Sequence, residues 1–165
     1  MSLEVDKEVD VLQGMAEAIR GKTLKILKNA TDEELIWTPP GLSNHVLWHA
    51  GHSVWLQDLL CIEAITGQSE LPPGWCEKFS MHCQPVHEVL HWPAKTEVYE
   101  QLTRQLPRML EVIGSLSTED LCRPPRTGSL PDAEPLRYWI SHGLHDEANH
   151  QGEMYLLLKM QRATT

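Results

Sequence analysis

NHVLWHAGHSVWLQD, residues Asn44–Asp58, is an apolar stretch with a line of histidines drawn along it. His45, His49 and His52 stand four and three residues apart, the spacing that stacks side chains on one face of an α-helix. The line continues through Leu56 and Leu59, so the histidine face runs into a core-facing stripe. Far along the chain, HGLHDEANHQGE (His142–Glu153) repeats the device: His142, Asp146, Asn149/His150 and Glu153 share a face that extends through Leu156, Leu157 and Met160. Both clusters are expected to point into a helical bundle. Each lies near the middle of its helix, so antiparallel neighbours would bring them to one depth.

Outward from these stretches the chain reads as helices separated by Pro-rich breaks. Helix 1 is expected from Leu3 to Lys28, with Val5, Val9, Leu12, Met15, Ala16, Ile19, Leu24 and Leu27 near a 3.6-residue period. Thr31–Glu34 has the form of a capping box. Helix 2 begins at Ser43 or Asn44, both good caps, and ends at Thr66 before Gly67. Gln68–Lys95, with four prolines, is too long for a tight turn. Helix 3 runs from Thr96 to Leu116, with Pro107 expected to kink or split it, and helix 4 from Asp132–Pro135 to Gln161. TDEELIWTPP (Thr31–Pro40) is echoed by STEDLCRPP (Ser117–Pro125), each between a long helix and one ligand cluster. Two helix pairs joined by a long crossover between helices 2 and 3 describe an all-α four-helix bundle.

The 165 residues, 41% hydrophobic, suit one domain over 1–165. A net charge of −9 without a basic cluster argues against nucleic acid or an anionic membrane surface as partner. No apolar run approaches the ~20 residues of a spanning helix. The acidic opening MSLEVDKEVD lacks an export signal core. Cys61, Cys76, Cys83 and Cys122 form no CxxC pair, and a reduced, cytoplasmic setting is expected.

Chemically, a buried carboxylate among histidines needs a cation. His52, Asp146 and His150 are the expected divalent-metal ligands, with His49 and Glu147 as the candidate proton relays. His145 lies ~100° from Asp146 and falls off the coordinating face. Glu153 and Asp58 are candidates to hydrogen-bond the outer N–H of ligand histidines, with a solvated helix face as the alternative for Asp58. Cys76, Cys83, His87 and His91 have a zinc-like order, but their spacing is wider than a zinc module's. No phosphate loop, nucleophile elbow or dinucleotide fingerprint occurs, and Asp146 replaces the first histidine of an HExxH helix.

WHAGHSVWLQD (Trp48–Asp58), DEANHQGEMYLL (Asp146–Leu157) and the linker TDEELIWTPPG together resemble the DinB/YfiT-like superfamily of metal-binding helical bundles. His52, Trp55 and Asp58 match its second-helix pattern, and Asp146, His150 and the following Gln-Gly-Glu match its fourth. The family's frequent histidine is Asp146 here, which is similar to its mycothiol-dependent members. The resemblance implies an up-down-down-up bundle, often a homodimer. It also implies a divalent transition metal (Zn, Ni, Fe or Mn), a low-molecular-weight thiol cosubstrate and S-transferase or hydrolase activity on a small molecule. The alternative is a non-catalytic domain whose metal is structural. A metal-free binding bundle is the third reading. Substrate is expected to enter beside Trp37, Trp48 or Trp75.

Overall fold

The computed structural model describes residues 7–81 and 91–164, and among these the regular structure is all helical. The long helices are α1 (Lys7–Asn29), α3 (Val46–Gln57), α6 (Lys95–Gly114) and α8 (Leu136–Thr164). Shorter α2 (Asp32–Ile36), α4 (Ala64–Thr66), α5 (Trp75–Phe79) and α7 (Thr118–Leu121) connect them, and a π-helical segment, Asp58–Glu63, joins α3 to α4. None of the described helices is long and apolar enough to cross a membrane.

The two echoed stretches fold alike. Thr31 and Glu34 form a capping box on α2, and Ser117 and Asp120 form one on α7. The start of α3 differs from expectation. His45, not Ser43 or Asn44, is its cap, and its Nδ1 accepts the Trp48 N–H at 3.0 Å. Gly67, at φ 83°, closes α4 in the left-handed region that its missing Cβ permits. α6 continues through Pro107 instead of splitting there.

α1 and α3 each pack against both α6 and α8. Gln13 bonds the Leu110 carbonyl, Arg20 the Leu102 carbonyl and Lys95 the Lys28 carbonyl, so rising positions of α1 meet falling positions of α6. Against α8 the order is the reverse: Glu8 meets Arg137, Arg20 meets Glu147, and Thr23 meets Gln151.

Burial divides into two apolar clusters. One holds Val9, Leu12, Ala16, Leu60, Met109, Ile140 and Leu144, and the other Ile26, Leu27, Val54, Leu102, Met154 and Leu158. On every long helix, buried polar residues fall in the gap between them: Arg20 and Thr23, Gln57, Gln105, Glu147 and Gln151. Arg20 binds Glu147 through Nε and Nη2 at 2.8 and 3.0 Å, and reaches Gln105 and the Leu102 carbonyl with its remaining donors. A polar belt thus crosses the interior at one level.

Candidate metal centre

Three neutral imidazoles line α3. His45, His49 and His52 are each only 4% exposed. Burial lowers their pKa values to about 4, about 3 and about 4, and for His49 the nearby His150 and His52 add to the effect. His45 is spent on the helix cap. His52 is pinned: its Nδ1 lies 2.6 Å from the Phe79 carbonyl, which can only accept, so Nδ1 carries the proton. Nε2 is then the lone-pair nitrogen, the form in which histidine binds metals. Trp48 stacks on the same ring at 4.5 Å, and Trp55 packs at 5.1 Å. α5 delivers the Phe79 carbonyl because Trp75 Nε1 donates to the Gly51 carbonyl and the Phe79 ring sits on Gly51.

α8 supplies the other wall. His150 Nδ1 lies 2.9 Å from His49 Nδ1 and 2.7 Å from Glu153 Oε2. The third edge, from His49 Nδ1 to Glu153 Oε2, is 3.2 Å. Among the described residues this is the one group of three that could hold an ion. Ligands ~2.0–2.1 Å from a tetrahedral zinc are ~3.3–3.4 Å apart, so the triangle needs only slight opening to accept one. The donor set, two imidazoles and a carboxyl group, fits a divalent transition metal.

The expected residues are distributed around this triangle. His150 belongs to it, as does His49. The His52 ring stands 4.7 Å from that of His150 in a T-shape. Asp146 lies 3.3 Å from His142 Nε2, and its charge reaches the His52 ring. His145 is exposed, beside Asn149. Glu147 is elsewhere. It sits in the belt, where Arg20 Nε and Thr23 Oγ1 donate to Oε1 and Arg20 Nη2 and Gln57 Nε2 to Oε2. Burial raises its carboxyl pKa, and Arg20 with these donors outweighs that and holds it below the usual range. Four donors fill its lone-pair positions, leaving none for relaying a proton.

The face of α8 also differs from expectation. Leu156 and Met160 are exposed, and the buried line is Ile140, Leu144, Glu147, Gln151, Met154 and Leu158. His142, Asp146 and His150 lie on its flank, half-buried, and Glu153 is exposed. The site is therefore a groove with a dry wall on α3 and an open wall on α8. Asp58 takes neither expected role: Ser69 Oγ and the Glu70 N–H both donate to it, which ties the crossover to the π segment. Burial raises its pKa. Glu153 was legible only as a histidine partner, and the Phe79 carbonyl has no signature in side-chain identity.

A cleft of about 260 Å³ opens onto His49 and Glu153. Gly41–Asn44, Leu156 and Leu157 line it, rather than Trp37, Trp48 or Trp75. In the zinc-like run, Cys83 and His87 lie outside the described residues, while Cys76 and His91 are exposed.

Comparison with known proteins gives a consistent fold. The sequence model of the DinB superfamily matches residues 15–154. A solved structure described as a conserved protein from Enterococcus faecalis superposes with a TM-score of 0.62 at 16% identity, covering 96% of this chain and 97% of that one. This likeness bears on the fold alone. No curated protein matches.

Proposed function

The chain belongs to the DinB superfamily, and from that premise we propose that it is a divalent-metal-dependent enzyme acting on a small molecule, as an S-transferase using a low-molecular-weight thiol or as a hydrolase. The observation that carries this reading is the convergence of His49 Nδ1, His150 Nδ1 and Glu153 Oε2 at the mouth of a solvent-accessible cleft.

The pattern of the sequence favours His52, Asp146 and His150 as ligands. The Phe79 carbonyl, which fixes the His52 tautomer, supports this set. A bound metal would supply acidity, bringing a thiol or water toward its anion near neutral pH. His49 and Glu153, in mutual contact and open to the cleft, would accept and pass on the released proton. The triangle itself favours a second set, His49, His150 and Glu153, in which the relay role falls to Asp146 and His142. Both sets share His150, and both leave Glu147 to the belt. The cleft suits an uncharged or cationic substrate with an apolar body, since Leu42, Leu156 and Leu157 line it beside one carboxylate and no Lys or Arg.

The fold reading that goes with this function is an up-down-down-up bundle. It is supported by the opposed order of α1–α6 contacts and the matched order of α1–α8 contacts. The bonds from Gln57 to Gly143 and His49 to His150 run α3 against α8.

Elemental analysis after loading with zinc, cobalt or nickel tests the proposal. We expect one ion per chain and loss of it in His150→Ala. Loss in His52→Ala and Asp146→Ala, with retention in His49→Ala and Glu153→Ala, selects the first ligand set, and the converse selects the second. A parent protein without stoichiometric metal overturns the enzymatic reading. A metal whose removal melts the bundle would favour a structural role.

A further inference from the structure

On α8, two candidate ligands neighbour residues of the buried belt: Asp146 precedes Glu147, and Gln151 follows His150. At ~100° per residue, the inward line midway between Glu147 and Gln151 places His150, Asp146, Glu153 and His142 together ~80–160° to one side. The rotation of α8 about its own axis therefore decides whether this face meets the α3 histidines. The apolar residues of α8 set that rotation loosely, because leucine and isoleucine contacts have no directional preference. The belt sets it by hydrogen bonds from α1 and α3, with α6 bracing Arg20 from behind.

Glu147 receives Arg20 and Thr23 from α1 and Gln57 from α3. Gln57 also donates to the Gly143 carbonyl, and Gln151 donates to the Ile19 carbonyl and to Thr23 Oγ1. Arg20 is held from the far side by Gln105, whose own amide donates to the Val54 carbonyl of α3. Arg20, Thr23, Gln57, Gln105, Glu147 and Gln151 are all buried. At a side-chain radius of ~5–6 Å, a rotation of ~20° would move His150 by ~2 Å, against a tolerance of ~0.2 Å in metal–ligand distances.

We infer that the Arg20–Glu147 belt is a positioning device for the metal site: it locks the rotation of α8 so that Asp146, His150 and Glu153 face His49 and His52. The inference rests on the metal-dependent reading above. A purely structural ion pair would be replaceable, since buried pairs exchanged for apolar residues of similar volume often leave stability unchanged or raise it.

The experiment compares the full-length parent with Arg20→Met/Glu147→Met and with Gln151→Leu. Each is read by thermal melting, by cobalt(II) titration with visible absorption, and, without metal, by ¹⁵N shifts of the histidine rings. We expect the double variant to melt somewhat below the parent, because Gln105, Thr23 and the Leu102 carbonyl lose partners, to bind cobalt at least tenfold more weakly with an altered absorption band, and to lose the parent's His49 and His150 ring shifts. Gln151→Leu should shift the same signals more mildly, and it carries the test if the double variant does not fold. Unchanged cobalt affinity, absorption and ring shifts in folded variants overturn the positioning role. A parent that takes up no cobalt or other metal overturns the metal reading separately, and the ring shifts then decide the positioning role alone.

Discussion

Two helical glycines should respond to the same substitution with opposite signs. A Cβ built on Gly51 would stand 2.2, 2.4 and 2.5 Å from Cε1, Cδ1 and Cζ of Phe79. Carbon atoms prefer ~3.5–4.0 Å, so the ring would have to retreat by more than ~1 Å. It has nowhere to go: Phe79 is fully buried, with Trp75 at 4.8 Å and Trp92 at 5.6 Å. Overpacking of this kind costs ~1–3 kcal/mol, and a clash this close belongs at the upper end. Replacing glycine within a helix returns ~0.5–1 kcal/mol. Gly51→Ala should therefore destabilise by ~2 kcal/mol, which for a chain of this size lowers the melting temperature by ~4–8 °C. Gly152 on α8 is exposed, with nothing within 4 Å of the point where an added methyl would stand. Gly152→Ala should keep the helix gain and raise the melting temperature by ~1–4 °C. Calorimetry on metal-free protein measures both. A Gly51→Ala variant that melts at or above the parent would refute the packing argument, and with it the account of how α5 holds His52.

Other perturbations give equally direct outcomes. Glu147→Ala should cost ~3–5 kcal/mol in urea unfolding, because the Arg20 guanidinium is left buried without its counter-ion. A loss below ~1 kcal/mol would show that the pair is replaceable even by a void. Metal-free protein should lose stability as pH falls. His45, His49 and His52 stay neutral when folded down to about 4, about 3 and about 4, whereas the unfolded chain takes up protons below ~6.5. The contribution is thus complete above pH ~6.5 and fades toward the folded values, by up to ~1.4 kcal/mol per pH unit for each histidine. A flat profile from pH 6.5 to 5 would contradict it. Burial pushes the Cys61 thiol up to about 12. Thiol labelling with peptide mapping should therefore modify exposed Cys76 and Cys122 in the native protein, and Cys61 only on unfolding.

Where the physics is local, the sequence was readable. Thr31–Glu34 and Ser117–Asp120 satisfy their own helix ends within four residues, so their echo survives as two similar turns. Gly67 closes its helix as expected, and the line of His45, His49 and His52 is a true face of α3. The reading of α8 failed for a long-range reason. The inward place of Glu147 and Gln151 depends on Arg20, 127 positions away from Glu147, which no local pattern reveals. Without that pair, the line through His142, Asp146, His150, Leu156 and Met160 has the same helical spacing as a core-facing stripe. At the start of α3, the sequence leaves His45 open to either a capping or an exposed place, and it takes the cap although serine and asparagine are the stronger local candidates. The π segment has no periodic signature: it is held from outside, by Ser69 and Glu70 on Asp58, and Thr127 on Glu63.

The asymmetry of the groove has a kinetic consequence. Its α3 wall is sealed by stacked rings, whereas its α8 wall borders solvent, so traffic through the site requires only side-chain motion on α8. Capture and release can then proceed on the fast timescale of exposed rotamers, uncoupled from the slow opening of the whole bundle. A stabilising change such as Gly152→Ala should slow global unfolding while leaving untouched the rate at which a chelator strips the proposed ion.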